Sequence, residues 1–241
     1  MSRARYFREF NVVELQSTFY QLPKLSTAFR WREEAPTGFE FTVKAWQAIT
    51  HPLLSPTWRR VKARPDLRDR AKYGLLRPTR QNFEAWDATL AICRSLGAKL
   101  CLVQSPPQFS HTAQNLRNLK EFFANIDRAG INIAWEPRGN WTEKPQEIRG
   151  ICERFELVHC VDLLKRVPAH LADIGYFRLH GVGRKDTNYS YHYTGLDFSQ
   201  LSERLRFLAA RGLSCAYMMF NNIAMFDDAR RFLRCSSSLS K

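Results

Sequence analysis

Seven short runs rich in β-branched and aromatic residues, separated by stretches of helical periodicity, constrain the fold of this chain more than any other feature. The runs are 12–20, 39–46, 99–105, 131–137, 156–162, 174–181 and 213–221. Helices are expected at 3–10 and near 24–35, 81–96, 113–129, 143–154, 197–211 and 226–234, while the connection 163–173 is too short for more than a turn. Asp197 is placed to cap its helix, and Gly97, Gly130 and Gly212 to stop theirs. Strands alternating with helices build a parallel sheet. The length of 241 residues suits one α/β barrel of roughly 250 residues better than two small domains.

Several runs alternate along their length. Val13, Leu15, Ser17 and Phe19 oppose Glu14, Gln16 and Thr18; Phe41 and Val43 oppose Thr42 and Lys44; Ile133 and Trp135 oppose Ala134, Glu136 and Arg138; Phe177 and Leu179 oppose Arg178 and His180. A doubly wound sheet, apolar on both faces, has no use for so many ionisable groups. A TIM-type (β/α) barrel does, because its inner strand faces end in a polar mouth at the C-terminal side. The expected class is therefore α/β, of TIM type with seven visible strands, in one domain over 1–235 followed by a disordered tail at 236–241.

The segment 51–80 breaks the rhythm. It carries Arg59, Arg60, Lys62, Arg64, Arg68, Arg70, Lys72, Arg77 and Arg80 against Asp66 and Asp69, half of the chain's formal charge of +14. With its prolines and no clean period it reads as a basic loop insertion, either a solvated surface or an attractor of polyanions such as nucleic acid. No run of roughly 18 uncharged apolar residues predicts a membrane span. The start, Met1 to Arg8, is basic without the apolar stretch of a secretory signal, so a cytoplasmic protein is expected. The six cysteines show no CxxC pair and no zinc spacing. All but Cys235 sit in apolar surroundings and are expected to be reduced, with a Cys93–Cys101 disulfide as the alternative.

The stretches VVELQSTFYQLP (12–23), FEFTVKAWQAITH (39–51), Pro106-Pro107, AWEPRGNW (134–141), YFRLHG (176–181) and MFNN (219–222) together resemble the DUF72 (YecE-like) family, in family order and over almost all of 5–235. The resemblance implies a TIM-type barrel with a polar pocket at the strand C-terminal ends, and little about chemistry. It also implies a further Gly-containing strand ahead of the helix at Arg5–Phe10, where this sequence begins. A barrel lacking its first strand should stay open beside 12–20 and 213–221. Gln16 stands where many relatives carry Asn.

The groups expected at the mouth are Glu14, Gln16, Thr18, Lys44, Gln104, Glu136, Arg138, Asp162, Arg178, His180 and Asn221 or Asn222. Glu136 and His180 are the leading acid/base candidates, with Glu14 and Asp162 as further carboxylates. Lys44, Arg138 and Arg178 would orient an anionic, phosphate-bearing substrate. Gln16, Thr18, Asn221, Asn222 and Tyr191 would add hydrogen bonds, all converging in one cavity. Trp46, Trp141, Tyr189 and Tyr191 could stack on a ring or cap the core. The bland alternative has the charges neutralising one another. A divalent metal on Glu136, Asp162 and His180 is a further alternative. It lacks an HxH or HxxxD pattern, since His51, His111, His170 and His192 fall in loops or helix starts, and Lys44 and Arg178 would repel the cation. No GxGxxG, GxxxxGK[ST] or GxSxG occurs, which removes dinucleotide, P-loop and esterase readings. The expected activity is thus acid/base chemistry on an anion, by a hydrolase or lyase. The rivals are a non-catalytic nucleic-acid binder using 51–80, or an inactive truncated barrel.

Overall fold

Each of the seven β-rich runs contains a strand, although the first is cut short for a local reason. The computed structural model describes residues 2–61, 64–183 and 186–236. Lys62 of the basic segment and 237–241 of the expected tail lie outside them. The chain divides into two compact units, Met1–Leu157 and Val158–Lys241.

The first unit runs α1 (Arg3–Glu9), β1 (Val12–Leu15), α2 (Ser17–Tyr20), α3 (Leu25–Glu34), β2 (Glu40–Lys44), α4 (Gln47–Thr50), α5 (Arg80–Leu96), β3 (Leu100–Gln104), α6 (Ala113–Asn125), β4 (Asn132–Glu136) and α7 (Pro145–Arg154), and β5 (Leu157–His159) straddles the boundary. Its strands pair in parallel in the order β1-β2-β3-β4, with Glu14 opposite Thr42, Lys44 opposite Leu102 and Gln104 opposite Glu136. Lys44, Gln104 and Glu136 therefore each end their strand. Both faces of β2 are out of water: Phe41 and Val43 are buried, and so are Thr42 and Lys44.

The alternation expected through 12–20 stops at Leu15, because Thr18 turns its hydroxyl back onto the carbonyls of Leu15 (2.6 Å) and Lys44 (2.7 Å) and the chain coils into α2. Local hydroxyl-to-backbone bonds compete with a ladder in this way. Gln16 and Thr18 are thus not strand residues. Further along, α5 ends as expected on Gly97 in the left-handed conformation (φ 61°). Helix α6 ends at Asn125 with Ile126 already extended, so Gly130 belongs to the following turn instead of stopping the helix.

Among its described residues the basic segment 51–80 is an anchored loop. Leu53, Trp58 and Leu76 are its apolar anchors, all buried, and two 3-10 turns (Pro56–Arg60, Leu67–Lys72) shape the rest. Its end wraps onto α4: the N–H groups of Gly74, Leu75 and Leu76 donate to the carbonyls of Ala48, Thr50 and Ile49 at 2.7–2.9 Å. Those are the carbonyls a four-residue helix cannot satisfy itself. The wrap needs three successive left-handed residues, at φ 75°, 54° and 48°.

The second unit contains β6 (Ile174–Leu179), α8 (Gly195–Ala209), β7 (Cys215–Phe220) and α9 (Met225–Ser236). β6 pairs in parallel with β7 and, through Phe177, with Val161. Its core is aromatic and aliphatic, with Phe177, Leu179, Tyr193, Phe198, Leu201 and Phe220 buried together. Thr194, not Asp197, is the N-cap of α8; Asp197 is its capping-box partner three residues on.

All six cysteines are free thiols. Cys93 and Cys101 touch as a hydrogen-bonded pair in place of the alternative disulfide, and that bond, with burial, raises the Cys101 pKa. Cys215, expected in the core, is exposed. Among the described residues no helix is long and apolar enough to cross a membrane.

Candidate functional site

Polar groups gather at the C-terminal ends of the strands in each unit, and burial forces each to find partners. In the first unit Glu136, 5% exposed, closes β4 and forms an ion pair with Arg138. Glu14 of β1 accepts a hydrogen bond from the Gln16 carboxamide. The Lys44 ammonium lies over the Phe19 ring, 4.2 Å from its centroid. Thr18, fully buried, ties the ends of β1 and β2 together, which makes it a brace.

His51 lies in the loop after α4, as expected, but is buried as the C-cap residue of that helix. Its ring packs edge-on to Phe19 at 4.8 Å and its Nδ1 meets the Thr50 hydroxyl at 2.8 Å. Burial and the nearby Lys44 charge push its pKa down to about 3, so the imidazole is neutral at working pH. Only the apolar run ahead of His51 hinted at this. Next to it Gln47 is fully buried, and neither end of its carboxamide has a hydrogen-bond partner among the described residues.

In the second unit His180 follows β6 and is held at three atoms. Its N–H donates to Asp162 Oδ2 at 2.9 Å, its carbonyl accepts from Asn188 N at 2.7 Å, and its Nδ1 lies 3.1 Å from Asn221 Nδ2. The next residue must be glycine, because Gly181 has φ +80° and a Cβ there would sit 2.2 Å from the Asn188 carbonyl oxygen. Asp162 also accepts from Leu164 N at 3.1 Å and faces Lys165 at 3.5 Å. Both its oxygens are committed, so it positions the His180 backbone. Arg178 is 1% exposed, and its N–H donates to the Val161 carbonyl at 2.9 Å.

Asn221 and Asn222 part company. Asn221 reaches His180, whereas Asn222 donates to the Tyr191 carbonyl and to Asp228, both at 2.7 Å, and pins the 181–194 loop. Tyr191 donates its hydroxyl to Asp197 at 2.8 Å, and burial with that carboxylate pushes its pKa up to about 12. Of the aromatics considered for stacking, Trp141 is core, packed on Trp135 and Phe109 and bonded to the Phe109 carbonyl at 2.6 Å. Tyr189 is half exposed, its ring 6.4 Å from that of His180. The Asp228 network was missed: this carboxylate, 1% exposed, accepts from Asn222, from Tyr193 N (3.3 Å) and from Arg231 (3.1 Å). Among the described residues no three His, Cys, Asp or Glu side chains are grouped to hold a metal ion.

Comparison with known proteins bears on the fold first. The crystal structure of a DUF72 family protein from Thermotoga maritima superposes with a TM-score of 0.68 at 21% identity, over 96% of this chain and 85% of that one. A DUF72 family protein from Enterococcus faecalis gives 0.65 at 18% identity, over 98% and 92%. A D-tagatose 3-epimerase-like protein gives 0.59 at 14% identity, over 96% and 91%. These likenesses carry the expected α/β, TIM-type fold. In sequence, 50 residues are 42% identical to UPF0759 protein YecE of Escherichia coli, a match spanning 21% of this chain and only 18% of that protein. The family model described as "Protein of unknown function DUF72" matches residues 2–238, and the chain belongs to the DUF72 family.

Proposed function

We propose that the protein is an enzyme acting on an anionic, phosphate-bearing small molecule by acid/base chemistry at the strand C-terminal ends. The observation that carries this reading is His180. Its backbone is fixed at the N–H by Asp162 and at the carbonyl by Asn188, and its ring is held at Nδ1 by Asn221. Such over-determination suits a group whose ring must be held to within a few tenths of an ångström. Glu136, closing a strand of the first unit with Arg138 against it, is that unit's own acid/base candidate, with Lys44 and Arg138 as its cations, and Arg178 is the cation of the second unit.

The test is a turnover screen over phosphorylated metabolites, followed by 31P and 1H NMR, with His180→Gln and Glu136→Gln alongside the wild type. Each variant should keep the wild-type fold and lose about 10²–10⁴-fold in turnover. Turnover by His180→Gln at the wild-type rate would sink the reading. Polyanion binding by the basic segment is a second reading, favoured by the exposure of Arg59, Arg60, Arg64, Arg68 and Arg70.

A further inference from the structure

We propose that Asn221 is a positioning residue that selects the tautomer of His180, holding the neutral imidazole with its proton on Nε2. Its consequence for catalysis rests on the acid/base reading of His180 given above. The geometry is local. Asn221 follows β7, and its N–H donates to the Leu179 carbonyl at 2.9 Å, extending the ladder one residue past β6. That bond sets the two backbones side by side, so the Asn221 carboxamide nitrogen comes 3.1 Å from His180 Nδ1.

A carboxamide NH2 can only donate, so the ring nitrogen it faces must carry a lone pair. In a neutral imidazole the proton is then on the other nitrogen, Nε2. The backbone bonds to Asp162 and Asn188 hold the residue in place, but neither reaches the ring and neither can choose a tautomer. Asn221 can. The choice also defines the chemistry: Nε2 becomes the donor, the nitrogen able to hydrogen-bond a reacting oxygen and the charge developing on it. Were Nδ1 protonated, Nε2 would instead be a base.

The experiment uses the full chain with 15N-labelled histidine, above the pH at which the imidazoles become neutral, and reads the ring nitrogens by long-range 1H–15N correlation. The His180 pair is assigned by its disappearance in His180→Gln. The expected spectrum has an unprotonated, pyridine-type Nδ1 and a protonated Nε2. Asn221→Asp is nearly isosteric but presents only acceptors, so it should reverse the assignment, placing the proton on Nδ1. Asn221→Leu should weaken the preference for the proton on Nε2. A protonated Nδ1 in the wild type overturns the proposal, and so does a pattern unchanged in Asn221→Asp. This readout needs no substrate, so it can fail while the acid/base reading stands. Conversely, if turnover is found, Asn221→Asp should lower it at least about 10²-fold, the scale of a wrong tautomer.

Discussion

Two long connections, 51–79 between α4 and α5 and 181–194 between β6 and α8, are anchored by opposite means in their described residues. The first is held by apolar side chains and backbone. Leu53, Trp58 and Leu76 bury themselves, and its last N–H groups cap α4. Arg59, Arg60, Arg64, Arg68 and Arg70 face water. The second is held by buried polar bonds: Tyr193 accepts from Gly181 N at 2.7 Å, Asn222 donates to the Tyr191 carbonyl, Asp228 accepts from Tyr193 N, and Ile223 N donates to the Tyr189 carbonyl at 2.7 Å. The charged segment drew the eye in the sequence, but the polar-anchored one is attached to His180. Charge density marks where a polyanion could be attracted, whereas buried hydrogen bonds mark where geometry is being enforced.

The contrast breaks first at Asp228. Asp228→Ala leaves the N–H of Tyr193 and one carboxamide hydrogen of Asn222 without their acceptor inside a buried network. We expect a loss of about 3 kcal/mol in urea unfolding, since hydrogen bonds to a buried charge are worth about 1.5–3 kcal/mol each and do not add fully. A loss under about 1 kcal/mol would mean that the 181–194 segment does not depend on this carboxylate. In the other segment the sensitive point is backbone. Gly74→Ala puts a Cβ 2.6 Å from the His51 carbonyl carbon at φ +75°. Strain and overpacking together should cost about 2 kcal/mol. Wild-type stability in that variant would show that the wrap onto α4 yields easily.

His51 gives the next effect, smaller per step. Its folded pKa of about 3 lies below the ordinary 6.5, so below pH 6.5 the unfolded chain binds a proton that the folded one refuses. The stability this represents is complete above about pH 6.5 and is lost as the pH falls toward 3, by up to about 1.4 kcal/mol per pH unit. Carboxylates contribute their own slope, so the quantity to measure is a difference. Between pH 7 and 4.5, wild-type stability should fall more steeply than that of His51→Gln. Parallel profiles would show that His51 takes up its proton freely.

The strand frame was legible because parallel strands need β-rich runs at regular spacing and nothing else imitates that. Lys44, Gln104 and Glu136 fell at strand ends because the period of two carries through those runs. In 12–20 the same period misled: Thr18 continues the alternation on paper, but its hydroxyl bonds back to Leu15 and starts a helical turn. Asp197 was read as a cap because an acid at a helix start fits both the cap and the third position. Only the Thr194 side chain decides which. The Asp228 network was invisible because its partners are far apart in sequence and each is an ordinary polar residue. Within 51–80, prolines and charges hid anchors such as Trp58 that have no regular spacing.

The smallest expected effect on stability is also the one that decides what the basic segment does. Arg59, Arg60 and Arg64 are exposed, and of these Arg60 is tied to Tyr20 by a 2.9 Å hydrogen bond and a ring contact at 5.4 Å. Other basic residues are already matched: Arg68 pairs with Asp66, Lys72 with Asp69 and Arg80 with Glu84. Those pairs lower the field the segment projects, so Arg59, Arg60 and Arg64, together with Arg70, should carry most of it. Reversing the first three to Glu should move thermal stability by no more than about 0.5 kcal/mol, as for surface changes generally. Retention on heparin or DNA at low salt should nonetheless be abolished, because the local charge changes sign and each phosphate contact contributes about one log unit per log of salt. Retention unchanged in the triple variant would assign the segment to structure alone, as the scaffold that caps α4. Retention lost together with several kcal/mol of stability would mean that these arginines hold the segment itself, and the distinction between its apolar anchors and its charges would have to be abandoned.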